Sequence, residues 1–386
     1  YWNCGAWLLP ADGTRGSFFA RLSNRDGKKV AISHETEATE LRSHLEKSAF
    51  SVAKITKSER KRNAPPPYTT SKLQQDAVNR LGFSAKRTMQ VAQGLYEGID
   101  LGKEAGGQVG LITYMRTDSV RTSPEAVEAV RDYVAGKYGK DHVPAEPNTY
   151  KSKKSAQEAH EAIRPASLDF PPDSIRRHLK DEQYKLYKMI WDRFAASQMK
   201  EALYDQTGVD IEAKSAGNPT YGLRAGGRVL KFAGWLAAYE SAATSGKVEL
   251  AGEGEGGAEA NASTGENGAA PGANGAHADG AASGSESEEG SIVELSEGEA
   301  LKLAADLKTD EGVRKPVVTE QKFTQPPPRY NEGSLVRELE DRGIGRPSTY
   351  AEIIGKVQAR DYVEKLEGRF HPTTLGKYVV DGLVKS

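Results

Sequence analysis

Residues 111–119 read Leu-Ile-Thr-Tyr-Met-Arg-Thr-Asp-Ser, and three of them could act together on one phosphate. In an extended segment successive side chains point to opposite faces, so Tyr114, Arg116 and Asp118 share one face. A phenol oxygen is a nucleophile once it has lost its proton. A guanidinium two residues away can grip two phosphate oxygens with its planar fork and stabilise charge during transfer. An isolated Tyr-x-Arg is more often an edge strand with a solvated arginine, so these residues need support from the rest of the chain.

Two further strings carry chemistry. Ala159-His160-Glu161-Ala162-Ile163-Arg164-Pro165 reads as helix, which places His160 and Arg164 four residues apart on one face. A histidine there could hold a phosphate oxygen or give a proton to a leaving hydroxyl. The other string runs from Phe323-Thr-Gln-Pro-Pro-Pro-Arg-Tyr to Gly343-Ile344-Gly345-Arg346-Pro347-Ser348-Thr349-Tyr350. Gly345 frees the backbone, and Ser348 or Thr349 is expected to cap a helix over 350–356. Hydroxyls, free amides and Arg346 at a helix start make a phosphate cradle.

Residues 112–119 resemble, almost letter for letter, the active-site signature of type IA DNA topoisomerases, the bacterial enzymes in particular. The other two strings follow in that family's order, and the resemblance covers the chain apart from 246–291. It implies that Tyr114 attacks a DNA phosphodiester and keeps the 5′ end as a phosphotyrosine. It also implies catalytic roles for Arg116 and His160, supporting roles for Thr117 and Asp118, and DNA contacts at Arg164, Arg346, Ser348 and Thr349. The implied substrate is a single-stranded segment of negatively supercoiled DNA, relaxed by cutting, strand passage and religation. No ATP is expected: exchanging a phosphodiester for a phosphotyrosine is nearly isoenergetic, and no Walker A sequence occurs. Mg²⁺ in the family is held by Asp-x-Asp-x-Glu carboxylates of an N-terminal Toprim domain, a motif missing here. No metal ligands are therefore expected in this chain, which reads as an internal fragment, inactive alone. Three alternatives stand beside this reading: a topoisomerase III-type decatenase, a non-catalytic winged-helix DNA-binding module, and a 3′-phosphotyrosine recombinase. The dispersed Arg/His constellation of the last is not seen.

The elements that must position these residues can be read more coarsely. With 386 residues the chain is too long for one core, and 28% charged residues mark it as hydrophilic. No run reaches the roughly 18 apolar residues of a membrane span, and no signal peptide is seen; a cytoplasmic, nucleoid-associated monomer is expected. One cysteine, Cys4, excludes an internal disulfide and a multi-cysteine zinc site. The formal net charge of −1 conceals an uneven distribution. Twelve acids and no Lys or Arg lie between Lys247 and Lys302, and setting them aside moves the charge to +11. The rest is a basic body of the kind that binds phosphate.

The expected class is α+β and multidomain, with the resemblance implying a toroidal core. Residues 1–68 read as the first part of a β-rich arch, with strands at 17–22, 29–32 and 50–56 and a helix at 37–47. A basic run, Lys57–Arg62, leads to the stiff boundary Pro65-Pro66-Pro67. Residues 69–200 read as a helical, winged-helix-like domain carrying Tyr114. Its first helix is capped by Thr70 or Ser71 and stopped by Gly82. The second is capped by Ser84, and the third starts at Ser123-Pro124. The aromatics of 182–196 follow core spacing. Residues 201–325 return to the arch through strands 207–211 and 221–232. Within them 246–291 reads as a disordered insertion whose Gly252-x-Gly254-x-x-Gly257 is a chance dinucleotide match. Residues 326–386 read as part of a helical DNA-binding base domain with a small wing and a last helix at 375–383.

Overall fold

The computed structural model describes residues 1–13, 15–103, 106–151, 160–239, 293–304, 307–309 and 312–385. The insertion expected at 246–291 lies outside the described residues.

The first strand, β1 (Trp2–Pro10), was not foreseen, because its Gly, Pro and Asn break the usual strand alternation. It is followed by β2 (Phe18–Arg25), β3 (Lys28–Lys29), helix α1 (Glu35–Glu46) and β4 (Ala49–Arg62). The basic run 57–62 is thus the far half of a strand. After the helical unit come β7 (Ala202–Lys214) and β8 (Tyr221–Phe232), with β9 (Ala300–Leu303) and β12 (Val317–Gln321) later in the chain. These eight strands form one antiparallel sheet in the order β12-β1-β9-β4-β7-β8-β2-β3. Because β1 also pairs with β2, the sheet closes through β1, β9, β4, β7, β8 and β2. The closed part is filled by Ala6, Leu8, Phe18, Phe50, Val52, Val209, Ile211 and Leu223, and α1 lays Ala38, Leu41 and Leu45 onto that core.

Beyond the barrel β4, β7 and β8 continue as a three-stranded ribbon. Its ladder runs unbroken from Lys54 opposite Asp210 to Arg62 opposite Ala202, while almost every residue of β4 past Val52 is exposed or half-exposed. Charge pairs replace apolar contacts there, with Lys231 bonded to Glu59 at 2.8 Å and Lys61 to Glu201 at 3.0 Å.

The ribbon leads into the helical unit: α2 (Thr70–Asp76) with a π-turn over Ala77–Leu81, α3 (Ala85–Glu97), the hairpin β5 (Ile99–Asp100) and β6 (Gln108–Val109), α4 (Pro124–Tyr138) and α5 (Asp181–Ser197). Ser84 and Ser123 accept the amides of Arg87 and Ala126 as caps, and Gly82 ends the first helix at φ +69°. The cap of α2 is Thr69, which accepts from Lys72, and not Thr70 or Ser71. Those two are buried and engaged elsewhere. The aromatics of α5 are core, with Tyr187, Trp191 and Phe194 at most 2% exposed. Arg193 crosses from α5 to the proline boundary, donating to the Pro66 carbonyl at 2.7 Å and covering the buried Tyr68 ring at 5.0 Å.

The last unit holds α6 (Glu332–Asp341), α7 (Tyr350–Ala359), the wing β13 (Val363–Leu366) and β14 (Arg369–Pro372), and α8 (Thr374–Lys385). Its Val336, Leu339, Tyr350, Ile354 and Phe370 pack on Ala85 at the start of α3. A separate hairpin, β10 (Leu307–Thr309) with β11 (Gly312–Arg314), stands apart from the main sheet. No helix among the described residues is long and apolar enough to cross a membrane.

Cys4 faces the barrel core, and burial pushes its thiol up to about 11. Thiolate is the reactive form, so the native protein should resist iodoacetamide at pH 8 and label fully only once unfolded in urea. Rapid stoichiometric labelling of the native chain would show that β1 is not held in the sheet as described.

Candidate active site

Residues 111–119 form no regular strand, yet they keep the expected alternation. Tyr114 and Arg116 are exposed and Asp118 half-buried, while Met115, Thr117 and Ser119 are buried. The segment borrows its hydrogen bonds from elsewhere. Upstream, the Leu111 amide donates to Leu95 O at 2.8 Å and the Thr113 amide to Arg164 O at 2.9 Å. Thr113 Oγ1 donates to Ala162 O at 2.7 Å and accepts the Arg164 amide at 3.0 Å. Downstream, Thr70 is wholly buried. Its hydroxyl lies 2.7 Å from Met115 O and 3.0 Å from Thr117 O, and it accepts the Thr117 amide at 2.8 Å. Tyr114 is bracketed by two threonine clamps.

Residues 160–165 are extended, not helical. The Ala162 amide is bonded to Arg121 O and the Ile163 amide to Tyr68 O, and Pro165 bridges to Ile112. Pro165 also disfavours helical backbone at Arg164. The expected i,i+4 pairing of His160 with Arg164 is therefore absent. Tertiary contact supplies what helical spacing would have given: the His160 ring lies edge-on to Tyr114, centroids 6.0 Å apart. Ala159 of that string lies outside the described residues.

Tyr114 is 42% exposed. Its other flank is Tyr96, at 5.4 Å and edge-on, itself 40% exposed. The sequence signal for it was its place at the last turn of α3 just before Gly98, where a ring can leave the apolar stripe. Arg116 makes no hydrogen bond or ion pair among the described residues. It lines an open groove of about 840 Å³ between α3 and α7, with Lys86, Gln93, Pro347, Ser348 and Lys356.

The remaining expected site residues divide. Arg346 is exposed; its amide donates to Thr349 Oγ1 at 2.8 Å, and its guanidinium donates to Gly345 O. Thr349 stands at the N-cap position of α7 but spends its hydroxyl on that bond, and so does not cap the helix. Gly345, at φ +82°, is required: a Cβ there would meet Ile353 Cδ1 at 2.9 Å and Thr349 Oγ1 at 3.0 Å. Ser348 opens onto the groove with Arg116. Thr117 is buried and accepts the Ser119 amide at 3.0 Å. Asp118 lies toward Tyr350, whose phenol is raised by burial first and by the carboxylates of Glu340 and Asp118 after it. Arg164 is 12% exposed and grips Glu161, its Nε at 3.0 Å, so its guanidinium is already occupied. No group of three His, Cys, Asp or Glu side chains able to hold a metal occurs among the described residues. The residues of this site therefore do not fit a Mg²⁺ ion by themselves.

Comparison with known proteins identifies the family. The family described as DNA topoisomerase matches residues 2–269 and 283–386. DNA topoisomerase 1 of Rickettsia bellii (strain RML369-C) is 37% identical over 389 residues, covering 100% of this chain and 41% of the relative. DNA topoisomerase 1 of Xylella fastidiosa (strain Temecula1) is 40% identical over 384 residues, covering 97% of this chain and 40% of the relative. Among solved structures, full-length topoisomerase I from Thermotoga maritima superposes with a TM-score of 0.69 at 30% identity, covering 100% of this chain and 51% of that one. The chain belongs to the bacterial type IA DNA topoisomerases. It spans about two-fifths of these curated relatives and about half of the Thermotoga chain.

Thr70→Val removes the downstream clamp without changing side-chain shape, leaving a buried amide and carbonyl unpaired. Urea unfolding should show a loss of about 1–3 kcal/mol, and Thr70→Ser should recover most of it. Wild-type stability in the valine variant would mean the segment is held by packing alone.

Proposed function

We propose that this chain supplies the nucleophile and part of the DNA-binding surface of an ATP-independent topoisomerase acting on negatively supercoiled DNA. One observation carries this: a solvent-exposed phenol on a backbone fixed from both sides, with an unengaged arginine two residues along the same face. In the reading proposed, Tyr114 Oη gives up its proton to solvent and attacks the phosphorus of a single-stranded segment. The bond from phosphorus to O3′ breaks, its electron pair stays on O3′, and that oxygen takes up a proton. The 5′ phosphate remains on Tyr114 until the 3′ hydroxyl attacks in reverse. Phosphotyrosine and phosphodiester are close in energy, so resealing needs no nucleotide.

Arg116 would stabilise the charge on the phosphate oxygens in the transition state. His160 sits against the ring to position an oxygen, or to hand a proton to the leaving O3′. Exposed Arg346 and Ser348, with Thr349 fixing the loop, would bind the strand backbone at the groove. Arg164 would serve DNA indirectly, by shaping the 161–165 segment with Glu161. Mg²⁺ belongs in this proposal to a part of the protein beyond the described residues. The barrel would act as the arch of a toroid, and the working enzyme as a monomer at the nucleoid.

In the complete enzyme Tyr114→Phe should abolish covalent cleavage while single-strand binding stays near wild type. Arg116→Ala should slow cleavage by about 10²–10³-fold, with Arg116→Lys restoring part of it because an ammonium lacks the fork. Trapped adducts should join Tyr114 to a 5′ phosphate. Wild-type relaxation by the phenylalanine variant would reduce the chain to a DNA-binding module, and a 3′-linked adduct would overturn the type IA chemistry.

The 386-residue chain alone should bind single-stranded oligonucleotides, more weakly as salt rises, and leave supercoiled plasmid unrelaxed with Mg²⁺. Relaxation by the isolated chain would place the metal ligands within it.

A further inference from the structure

Past the ribbon, the backbone carbonyls of residues 62, 64, 66 and 68 each meet a different element, with the period of two that an extended chain sets. Arg62 O accepts Trp235 Nε1 at 2.9 Å, and the Tyr150 hydroxyl lies 3.2 Å from Ala64 O. Pro66 O accepts Arg193 Nε at 2.7 Å, and Tyr68 O accepts the Ile163 amide at 2.8 Å. Two residues further on, the Thr70 hydroxyl holds Met115 and Thr117. The stretch 62–70 is therefore a cord that leaves the ladder of β4 and ends on both segments of the site. Ile163, bridged to Tyr68, belongs to the extended segment that carries His160, and Met115 adjoins Tyr114.

Arg193 holds the middle of this cord from α5, and charge balance alone does not require it. Asp76 already has Lys72 at 3.3 Å and the Tyr68 hydroxyl at 2.8 Å, whereas Arg193 Nη1 stands 3.8 Å off. A buried guanidinium costs desolvation that so long a pair repays poorly, and an apolar side chain could fill the same space. What an apolar side chain lacks is the planar fork, with one nitrogen on Pro66 O and the central carbon 5.0 Å from the centre of the Tyr68 ring. We propose, on the reading of Tyr114 as nucleophile given above, that Arg193 is a positioning residue. Through Pro66 and Tyr68 it holds the Ile163 segment, and so His160, in register with Tyr114. At 5% exposure Arg193 cannot meet DNA itself, so its effect on the reaction passes through the chain it holds.

The 386-residue chain has seven histidines, and His160 can be assigned in a carbon-labelled histidine spectrum by its loss in His160→Gln. Its ring lies edge-on to Tyr114, so its resonance reports their geometry. Arg193→Lys keeps the charge without the fork. It should shift the His160 resonance and speed exchange of the Ile163 amide about tenfold or more. Asp76→Asn, a milder change that still accepts the Tyr68 hydroxyl, should move both in the same direction by less. Leu45→Ala, in the barrel core, should lower stability and move neither. In the complete enzyme Arg193→Lys should slow cleavage of a single-stranded oligonucleotide about tenfold, with KM within about twofold of wild type. Arg193→Met should be slower still. An unmoved His160 resonance and unchanged Ile163 exchange in the lysine and asparagine variants would overturn the coupling. Equal slowing by Leu45→Ala, or a shifted resonance with an unslowed reaction, would overturn the positioning role and leave Arg193 a residue of the fold alone. No covalent adduct from the unsubstituted complete enzyme would instead sink the reading of Tyr114, while resonance and exchange still decide the coupling.

Discussion

Thr70 Oγ1, wholly buried, sits between two carbonyls and one amide of a segment that has no ladder of its own. A reactive side chain must stand in solvent, but its backbone cannot stand there unsupported without losing position. Ordinary strand pairing would meet that need by burying one whole face. Here the amides and carbonyls around Tyr114 are met by single donors and acceptors from separate places: Leu95, Arg164, Ala166 and Thr70. The packing of α2, α3 and the 160–165 segment is what makes these partners available. Tyr68, buried under Arg193 and bonded to Asp76 at 2.8 Å, ties that packing to the end of the ribbon. Burial drives the Tyr68 phenol well above its ordinary range, so this hydroxyl stays a hydrogen-bond donor at any physiological pH.

Charge is distributed in keeping with this division. Acids that must stay near the helical unit are held by bases, as Asp192 is by Lys188 at 2.8 Å, and Glu332 by Lys365 at 2.7 Å. Glu332 also accepts the buried Ala85 amide, so one carboxylate joins the start of α3 to the last unit. In the groove, Arg116 and Lys86 make no ion pair among the described residues, whereas Lys356 is held by Glu352 at 2.7 Å.

The alternation around Tyr114 was legible because period two survives even where regular strand pairing does not. The helix starts at Ser84 and Ser123 were legible too, since a cap is a local bond between residues three apart. Thr70 was misread for the opposite reason: it looked like a cap, but its partners lie some forty-five residues on, at Met115 and Thr117. The 160–165 segment was misread because a short run with two apolar residues fits helix or strand equally. The deciding force, the amide acceptors Arg121 O and Tyr68 O, is tertiary. Trp2–Pro10 escaped notice because a strand that closes a barrel can afford Gly5 beneath a neighbour's ring. Arg164 looked like a free cation in sequence, and only the folded loop shows Glu161 against it.

The ribbon of β4, β7 and β8 has a mechanical consequence. A hydrogen-bonded ladder resists stretching along its strands and shear in its own plane, because each would break many bonds at once. Twisting, or curling across the flat face, alters each bond only slightly, and among the described residues only the stretch from Val293 to Glu297 lies against its barrel end, where the Ile55 amide donates to Glu297 at 2.8 Å. The connection between barrel and helical unit is in this respect anisotropic: its hydrogen bonds oppose stretching and in-plane shear more than twisting. A ladder of this kind, from Lys54 to Arg62, would favour bending out of its own plane over stretching or in-plane shear.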